Sequence, residues 1–334
     1  MKIVVDAMGS DQRPVPDVSG AVQAARAYGV EIMLVGDEAR VRAELKKIGD
    51  VPATVSVIHA SQEIEMREHP ALAVKEKKGA SIVVGIDRVK QGQADAFVSM
   101  GNTGAVLAAS VLYLQRIKGV HRPALGALFP TPQGPSLLID VGANTDCKPE
   151  WLEQFGMMGE AYMRAVMQIE KPRVALLANG EEETKGNQDV QAAHALLKQR
   201  AQTKGMNFIG NIEGKDIPAR LADVIVADGF VGNIALKTAE GISKMLNDLI
   251  RTEIKSNPLS MVGGALAMPA FNKVKKILDY TEYGGAPLLG VNGVVIIGHG
   301  RSNDVAVKNA VRVAIRAVES NILEIIRSGV TPGD

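Results

Sequence analysis

The sequence lacks several features that mark common classes of protein. It has 334 residues and one cysteine, Cys147, so an intramolecular disulfide framework is excluded and a reducing compartment is indicated. Lys and Arg total 38 against 37 Asp and Glu, a formal charge of +1, so bulk charge gives no reason to expect nucleic acid as a partner. The five histidines are scattered without an H-E-x-x-H or a Cys/His cluster, and we expect neither a metal site nor a cofactor.

Long hydrophobic runs are also scarce. Residues 96–115 form an uncharged run of 20, close to the spanning length of about 20 residues. The run contains Ser99, Asn102 and Thr103, which a buried strand, loop and helix explain better than a membrane span. The N-terminal MKIVVDAMGS reaches Asp6 after three apolar residues, and therefore predicts a strand and not a signal peptide. We expect a cytoplasmic protein.

Short apolar, β-branched runs alternate with longer helical patterns along the whole chain. This alternation predicts an α/β fold of three layers, α/β/α, around a largely parallel sheet. We expect a single domain over 1–330, with a protruding helical and apolar segment at about 240–280. The predicted strands cover 2–9, 31–37, 54–61, 95–101, 135–143, 173–180, 223–230 and 293–300, and predicted helices include 104–117, 149–168, 186–204, 233–254 and 302–327.

A Gly-Asn pair precedes a predicted helix three times, at 101–102, 186–187 and 232–233. Ligands of open α/β sheets bind outside the carboxyl ends of the strands. We therefore expect these turns to converge on one edge and to bind an anion through backbone N–H groups and side chains. No G-x-x-x-x-G-K-[ST] motif occurs, so the anion is not expected to be a nucleotide in a P-loop. Ordinary loop structure and helix capping are the alternative explanation.

Seven segments together resemble one known family, the phosphate acyltransferases of bacterial phospholipid synthesis (the PlsX family). The resemblance runs in the expected order over roughly residues 1–325, which makes it far more specific than any single motif. The segments are DAMGSD (6–11), SMGNTGA (99–105), IKGVHRPALGALFPT (117–131), DVGANTDCKPE (140–150), KGN (185–187), DGFVGNIALK (228–237) and YGGAPLLG (283–290).

The resemblance implies a specific reaction. Enzymes of this family convert acyl-[acyl carrier protein] and inorganic phosphate to acyl phosphate and free carrier protein. Their fold is similar to that of isocitrate and isopropylmalate dehydrogenases and of phosphotransacetylases. The resemblance further implies a homodimer that is peripherally associated with the inner face of an anionic membrane, where a membrane acyltransferase would use the acyl phosphate.

The implied chemistry suits a chain without a catalytic triad, because the nucleophile is the substrate phosphate. The reaction needs a positioned phosphate, donors for the oxyanion and charge relief for the leaving sulfur. We predict Lys185, Asn233 and His299 as catalytic residues, although Lys185 could instead balance the glutamates at 181–183. Lys237 and Arg301 are weaker candidates. The predicted substrate-binding residues are Gly101, Asn102, Thr103, Gly104, Asn144, Asp146, Asn187 and Gly232.

The segment 256–272, SNPLSMVGGALAMPAFN, has 17 residues without charge, broken by prolines and glycines. It lies between basic residues, Arg251 and Lys255 on one side and Lys273, Lys275 and Lys276 on the other. This pattern favours contact with an anionic lipid surface, with a dimer contact or a core hairpin as alternatives. The predicted membrane-contact residues are Leu259, Met261, Val262, Leu266, Met268 and Phe271. An acidic carrier protein would dock on this basic group or on KEKK at 75–78.

Two other functions stay open from the sequence. A phosphotransacetylase acting on a small acyl-CoA would perform the same attack of phosphate on a thioester. A non-enzymatic scaffold for lipid enzymes at the membrane surface would show no turnover. A decarboxylating dehydrogenase is less compatible, because it would need an arginine cluster and Mg²⁺-binding acids on helices. Asp6, Asp11, Asp140 and Asp146 could hold Mg²⁺, but turn and helix-dipole roles suffice for them.

Overall fold

The computed structural model describes residues 1–278 and 280–330, with the side chains of 275–278 and 280 outside the description. Eleven strands of this described part form one sheet. The eight runs predicted as strands each contain one of them, and β5, β8 and β10 were not predicted. The strands are β1 (Lys2–Asp6), β2 (Glu31–Gly36), β3 (Val55–His59), β4 (Ala96–Ser99), β5 (Ala124–Phe129), β6 (Ser136–Ile139), β7 (Val174–Leu177), β8 (Phe208–Ile212), β9 (Val224–Val226), β10 (Ala286–Leu289) and β11 (Val294–Ile297).

Helices follow most of the strands and cover both faces of the sheet. They are α1 (Val15–Tyr28), α2 (Glu38–Ile48), α3 (Pro70–Glu76), α4 (Ser81–Lys90), α5 (Thr103–Ala109), α6 (Pro149–Ala165), α7 (Gln188–Lys204), α8 (Gly229–Ile254), α9 (Pro258–Leu278), α10 (Asp304–Glu319) and α11 (Ile322–Val330). One face packs against α1, α6, α7, α10 and α11. The other packs against α3, α4, α5 and the first turns of α8. The predicted three-layer α/β/α architecture is confirmed.

The direction of the strands changes in the middle of the sheet. The order is β3-β2-β1-β4-β11-β10-β5-β6-β9-β7-β8. Strand β10 is antiparallel to both β11 and β5, and β5 is antiparallel to β6, whereas the other neighbours are parallel. Three successive reversals leave β6, β9, β7 and β8 running opposite to β4 and β11. The strands of the two parallel halves therefore point in opposite directions, so that their carboxyl ends face opposite ways.

Two predicted helices have different bounds in the structure. The segment 302–327 forms two helices, because Asn321 adopts a positive φ of 53° between α10 and α11. Helix α8 begins at Gly229 and not at 233, since the Asp228 side chain accepts a hydrogen bond from the Val231 N–H at 2.8 Å and caps the helix there.

Helices α8 and α9 form a hairpin within the segment expected to protrude at about 240–280, of which residue 279 lies outside the description. Gly264 of α9 packs on Ile254 of α8, since a Cβ at Gly264 would lie 2.4 Å from the Ile254 Cγ2. Beyond Gly229 and Gly232, the residues of α8 are not fully buried. In the described residues no helix combines the length and the apolar character needed to cross a membrane.

Candidate functional site

A cleft of about 450 Å³ opens over the central antiparallel strands, between α5 and α8. Its apolar lining comes mainly from β5 and β10 and from the two helices. These residues are Leu107, Leu125, Ala127, Leu128, Leu236, Ala286 and Leu288. The cleft therefore lies where the sheet changes direction, and it offers an extended apolar surface to a ligand.

Polar groups enter the cleft from three separate parts of the chain. Thr103 and Gly104 begin α5, and His299 follows β11. Asn233, Lys237 and Glu240 lie on α8, which covers about 10 Å between the first and the last of them at 1.5 Å per residue. Val141, Gly142 and Ala143 of the loop after β6 also line the cleft, so this loop and the first turns of α8 meet His299 there.

The turn at 99–104 is held from behind by buried side chains. Ser99 Oγ donates to Asp6 Oδ2 at 2.7 Å and accepts from the Gly101 N–H at 3.0 Å. The Asn102 Oδ1 accepts from the Ala105 N–H at 3.0 Å, and its Nδ2 donates to the carbonyls of Glu65 and Met66. Gly101 lines the cleft, whereas Asn102 is buried outside it. Asn102 therefore caps α5, and its substrate contact stays a prediction.

Asp140 organises the loop that follows β6. Its carboxylate accepts five hydrogen bonds, from the N–H groups of Leu125, Gly142, Ala143 and Asn144 and from the Asn144 Nδ2. Burial raises the pKa of Asp140, and the hydrogen bonds from Ala143, Asn144 and Leu125 act against that rise. The Asn144 amide also donates to the Pro123 carbonyl at 2.8 Å. Asn144 thus braces the loop and does not line the cleft, and Asp146 is exposed outside it.

The start of α8 packs closely on the same loop. A Cβ at Gly232 would lie 1.9 Å from the Asp140 carbonyl oxygen, so only glycine fits there. The Gly232 N–H donates to the Asp228 carbonyl at 2.9 Å, Gly232 does not line the cleft, and its substrate contact stays a prediction. Asn233 lines the cleft, and its Nδ2 donates to the Val141 carbonyl at 2.9 Å.

The loop that carries Lys185 lies apart from the cleft. It follows β7, whose carboxyl end is at the opposite edge from that of β4, and neither Lys185 nor Asn187 lines the cleft. Asn187 caps α7 by accepting from the Val190 N–H at 2.9 Å. The three Gly-Asn turns do not all line the cleft, because Gly101 and Asn233 line it and Gly186 and Asn187 do not. In the part of the chain that the structure describes, the exposed Lys185 Nζ has no hydrogen-bond or ion-pair partner.

His299 is half-buried beside three charged side chains. Burial lowers its pKa below 6.5, Lys237 and Arg301 lower it further, and Glu240 and Asp11 oppose them. The ring is therefore neutral at pH 7. Its Nδ1 accepts from the Arg301 N–H at 3.2 Å, so the proton of the neutral tautomer is on Nε2. A neutral imidazole of this kind is a hydrogen-bond donor, as a developing oxyanion requires.

Lys237 and Glu240 form an ion pair inside the cleft. The Lys237 Nζ lies 3.0 Å from each carboxylate oxygen of Glu240. The sequence analysis kept Lys237 as a candidate, with a surface charge as the alternative, and missed Glu240. The i, i+3 spacing was the available signal, but many solvated helices show the same spacing.

Two features outside the cleft concern other kinds of chemistry, a thiol nucleophile and metal binding. Burial raises the pKa of the Cys147 thiol to about 12, which makes it a poor nucleophile. Among the described residues, only one group of three potential metal ligands is found, and it consists of Glu181, Glu213 and Asp216. Lys215 forms an ion pair with Glu213 of this group. Asp6, Asp11, Asp140 and Asp146 do not form such a group in this part of the chain.

The six predicted membrane-contact residues divide between two faces of α9. Leu259, Val262 and Leu266 lie on one face at helical spacing, and Leu259 and Leu266 are 82% and 81% exposed. Met261, Met268 and Phe271 lie on the side nearer Gly264, which packs on α8. The side chains of Lys275 and Lys276, predicted to flank this surface, lie outside the described residues.

Comparisons with known proteins agree with this architecture. The EutD phosphotransacetylase from Staphylococcus aureus has a similar fold, with a TM-score of 0.63 at 17% identity, covering 96% of this chain and 94% of its own. A 4-hydroxythreonine-4-phosphate dehydrogenase from Klebsiella pneumoniae aligns with a TM-score of 0.55 at 13% identity, over 95% of this chain and 99% of its own. At these identities the likeness concerns the fold alone, and it confirms the predicted similarity to phosphotransacetylases.

Similarity in sequence is much closer. A phosphate acyltransferase from Pelotomaculum thermopropionicum is 51% identical over 330 residues, 99% of this chain and 95% of the relative. One from Dictyoglomus turgidum is 49% identical over 330 residues, 98% of this chain and 97% of the relative. The profile of the family described as "Fatty acid synthesis protein" matches residues 1–325. The chain therefore belongs to this family, together with those phosphate acyltransferases.

Proposed function

We propose that the cleft transfers an acyl group from the thioester of an acyl-[acyl carrier protein] to inorganic phosphate. The observation that carries the proposal is the lining itself, an apolar floor that suits an acyl chain beside Asn233, Lys237 and His299. The relatives that are named phosphate acyltransferases support the reaction class. The names of these relatives do not specify the acyl donor, and acyl carrier protein is the donor that we propose.

The reaction balances without a base or a nucleophile from the protein. An oxygen of HPO₄²⁻ forms a bond to the thioester carbonyl carbon, the C–S bond breaks, and the phosphate proton ends on the leaving thiolate. The products are acyl phosphate and a carrier thiol. Because the thiol pKa is near 8.5, the thiolate is a fair leaving group, and the protein's task is to position the phosphate and stabilise the oxyanion.

Each polar group of the cleft has a role that suits this chemistry. The Nε2–H of neutral His299 is a donor for the oxyanion. The second N–H of the Asn233 amide and the Thr103 hydroxyl are further donors for phosphate or oxyanion. Lys185 remains a prediction from the family resemblance, and its unpaired ammonium supports a contact with substrate that forms outside the cleft.

A basic patch beside the cleft supports docking of an acidic carrier protein. Helix α3 carries KEKK at its end and packs on α5, as shown by the 2.6 Å between a Cβ at Gly104 and the Pro70 Cγ. Lys77 is paired with Glu68, and Lys78 donates to the Tyr113 hydroxyl. This patch is a more suitable docking surface than the basic residues around Arg251, which lie at the end of the hairpin.

The α8–α9 hairpin supports the homodimer and the peripheral membrane contact that the resemblance implies. Cleft residues occupy one face of α8, and an exposed apolar stripe occupies the opposite face. A second copy of the chain would bury this stripe, and the outward face of α9 would meet the anionic lipid of the inner membrane face. The stripe consists of Ile234, Ile242, Met245, Leu246 and Leu249.

The proposal is tested by the acyl donor. We expect the purified chain to release carrier thiol from acyl-[acyl carrier protein] only when phosphate is present, and to act far more slowly on acetyl-CoA. Faster turnover of acetyl-CoA would favour a small-substrate phosphotransacetylase, and no turnover with either donor would favour a scaffold. Wild-type rates in Lys185→Ala would remove Lys185 from the site.

A further inference from the structure

The charges of the cleft are few and are already paired. Among the described residues that line it, Lys237 is the only lysine or arginine and Glu240 the only carboxylate. The Lys237 ammonium contacts both oxygens of Glu240 at 3.0 Å, and both side chains are partly exposed. A pair this exposed to solvent is weak, so an incoming ligand of higher charge can replace either partner.

Such a ligand must be an anion that Lys237 binds and Glu240 repels. A phosphate dianion offers three acceptor oxygens to an ammonium, and the charge-assisted hydrogen bond it forms is among the stronger ones in proteins. The described residues that line the cleft offer no other full positive charge to a dianion. We propose that Lys237 binds the phosphate that reacts in the cleft, and that Glu240 is the counter-ion which it exchanges for that phosphate. The inference rests on the proposed function and identifies the cation of its nucleophile.

The pKa of His299, which lines the same cleft, depends on both members of this ion pair. Among the described residues, the charged groups that act on its pKa include Lys237 and Glu240 from α8, Arg301 from its own loop and Asp11 from the loop after β1. Because Lys237 lowers the His299 pKa, loss of Lys237 moves that pKa up towards 6.5. Because Glu240 raises it, loss of Glu240 moves it down. In each case His299 is neutral above its folded-state pKa and becomes charged as the pH falls through it.

The experiment compares Lys237→Met and Glu240→Gln with matched variants two turns farther along the same face of α8. There Lys244 pairs with Asp248 at 2.7 Å in an exposed position, which gives Lys244→Met and Asp248→Asn as controls. The readouts are the KM for inorganic phosphate, the KM for the acyl carrier protein, binding of inorganic phosphate to the resting protein by ³¹P NMR, and the pKa of His299 by NMR.

We expect Lys237→Met to raise the KM for phosphate about tenfold or more while the carrier KM changes little, and to weaken phosphate binding to the resting protein equally. Glu240→Gln is expected to tighten phosphate binding, and the two controls to leave it unchanged. The His299 pKa is expected to rise in Lys237→Met and to fall in Glu240→Gln.

Unchanged phosphate binding in Lys237→Met would overturn the proposal. If the His299 pKa shifts as expected in that variant, Lys237 lies near His299 but does not bind the phosphate. A rise in the carrier KM with an unchanged phosphate KM would overturn it as well, since Lys237 would then serve the carrier. If no variant or wild-type protein turns over, the proposed function fails, but loss of ³¹P-detected binding in Lys237→Met alone would still support the phosphate site.

Discussion

At the scale of single residues, Asp140 links the sheet, the loop after β6 and the start of α8. Its five donors come from β5 and from residues 142–144, and its carbonyl oxygen touches the position where Gly232 lacks a side chain. The loop in turn carries Val141, whose carbonyl accepts from Asn233. The position of Asn233 in the cleft therefore depends on a carboxylate that does not itself line the cleft.

Asp140→Asn tests this role. The asparagine amide replaces one carboxylate oxygen with an NH₂ group, which cannot accept hydrogen bonds from the N–H donors that face it. The buried site therefore loses hydrogen bonds to a charged group. We expect the free energy of unfolding to fall by about 2–3 kcal/mol in urea titrations followed by circular dichroism. Asp146→Asn is the matched control, because Asp146 is exposed and makes no hydrogen bond within the described residues. Equal effects of the two substitutions would contradict the account.

The same scale shows what a sequence motif can indicate about a site. Of the residues predicted for the site, Gly101, Thr103, Gly104, Asn233 and His299 line one cleft, and their roles there stay predictions. The pattern could not show that the Gly101 N–H is already bound to Ser99, or that the Asn102 amide is used by carbonyls at 65 and 66, because those partners come from distant parts of the chain. Glycine and asparagine are equally typical of turns that only cap helices.

At the scale of elements, the strands that were not predicted are those that decide where the site lies. β5 and β10 are short apolar runs, and hydropathy alone does not encode the direction of neighbouring strands. These strands reverse the sheet, and the loop after β6 together with the first turns of α8 lines the cleft from its second half. The 26 residues of α8 serve the cleft on one face and expose apolar side chains on the other.

The outward face of α9 is tested by Leu266→Glu. A charge at this exposed position opposes insertion into the lipid interface, so we expect co-sedimentation with anionic vesicles to be lost while activity in solution stays at the wild-type level. Leu221→Glu is the control, since Leu221 is also exposed but lies in the loop before β9. Wild-type sedimentation of Leu266→Glu would contradict the membrane contact, and a changed mass by light scattering would place Leu266 in the dimer contact instead.

At the scale of the whole molecule, the fold class followed from the alternation of strands and helices, because parallel strands covered on both faces need continuous apolar runs. The position of the cleft did not follow, because it depends on the reversal within the sheet and on how the loop after β6 and the first turns of α8 meet the residues after β11. The family resemblance, and not the pattern alone, identified the reaction. The buried Cys147 thiol has a raised pKa and lies outside the cleft lining, which is compatible with the proposed substrate nucleophile.

The central claim is that phosphate attacks the thioester directly, and it is tested by leaving phosphate out. Acyl-[acyl carrier protein] is mixed with a stoichiometric amount of the purified chain, and carrier thiol is followed before and after phosphate is added. We predict no thiol before the addition, and afterwards one acyl phosphate for each thiol released. A burst of thiol equal to the amount of protein before any phosphate is present would reveal an acyl-enzyme, and would contradict the account.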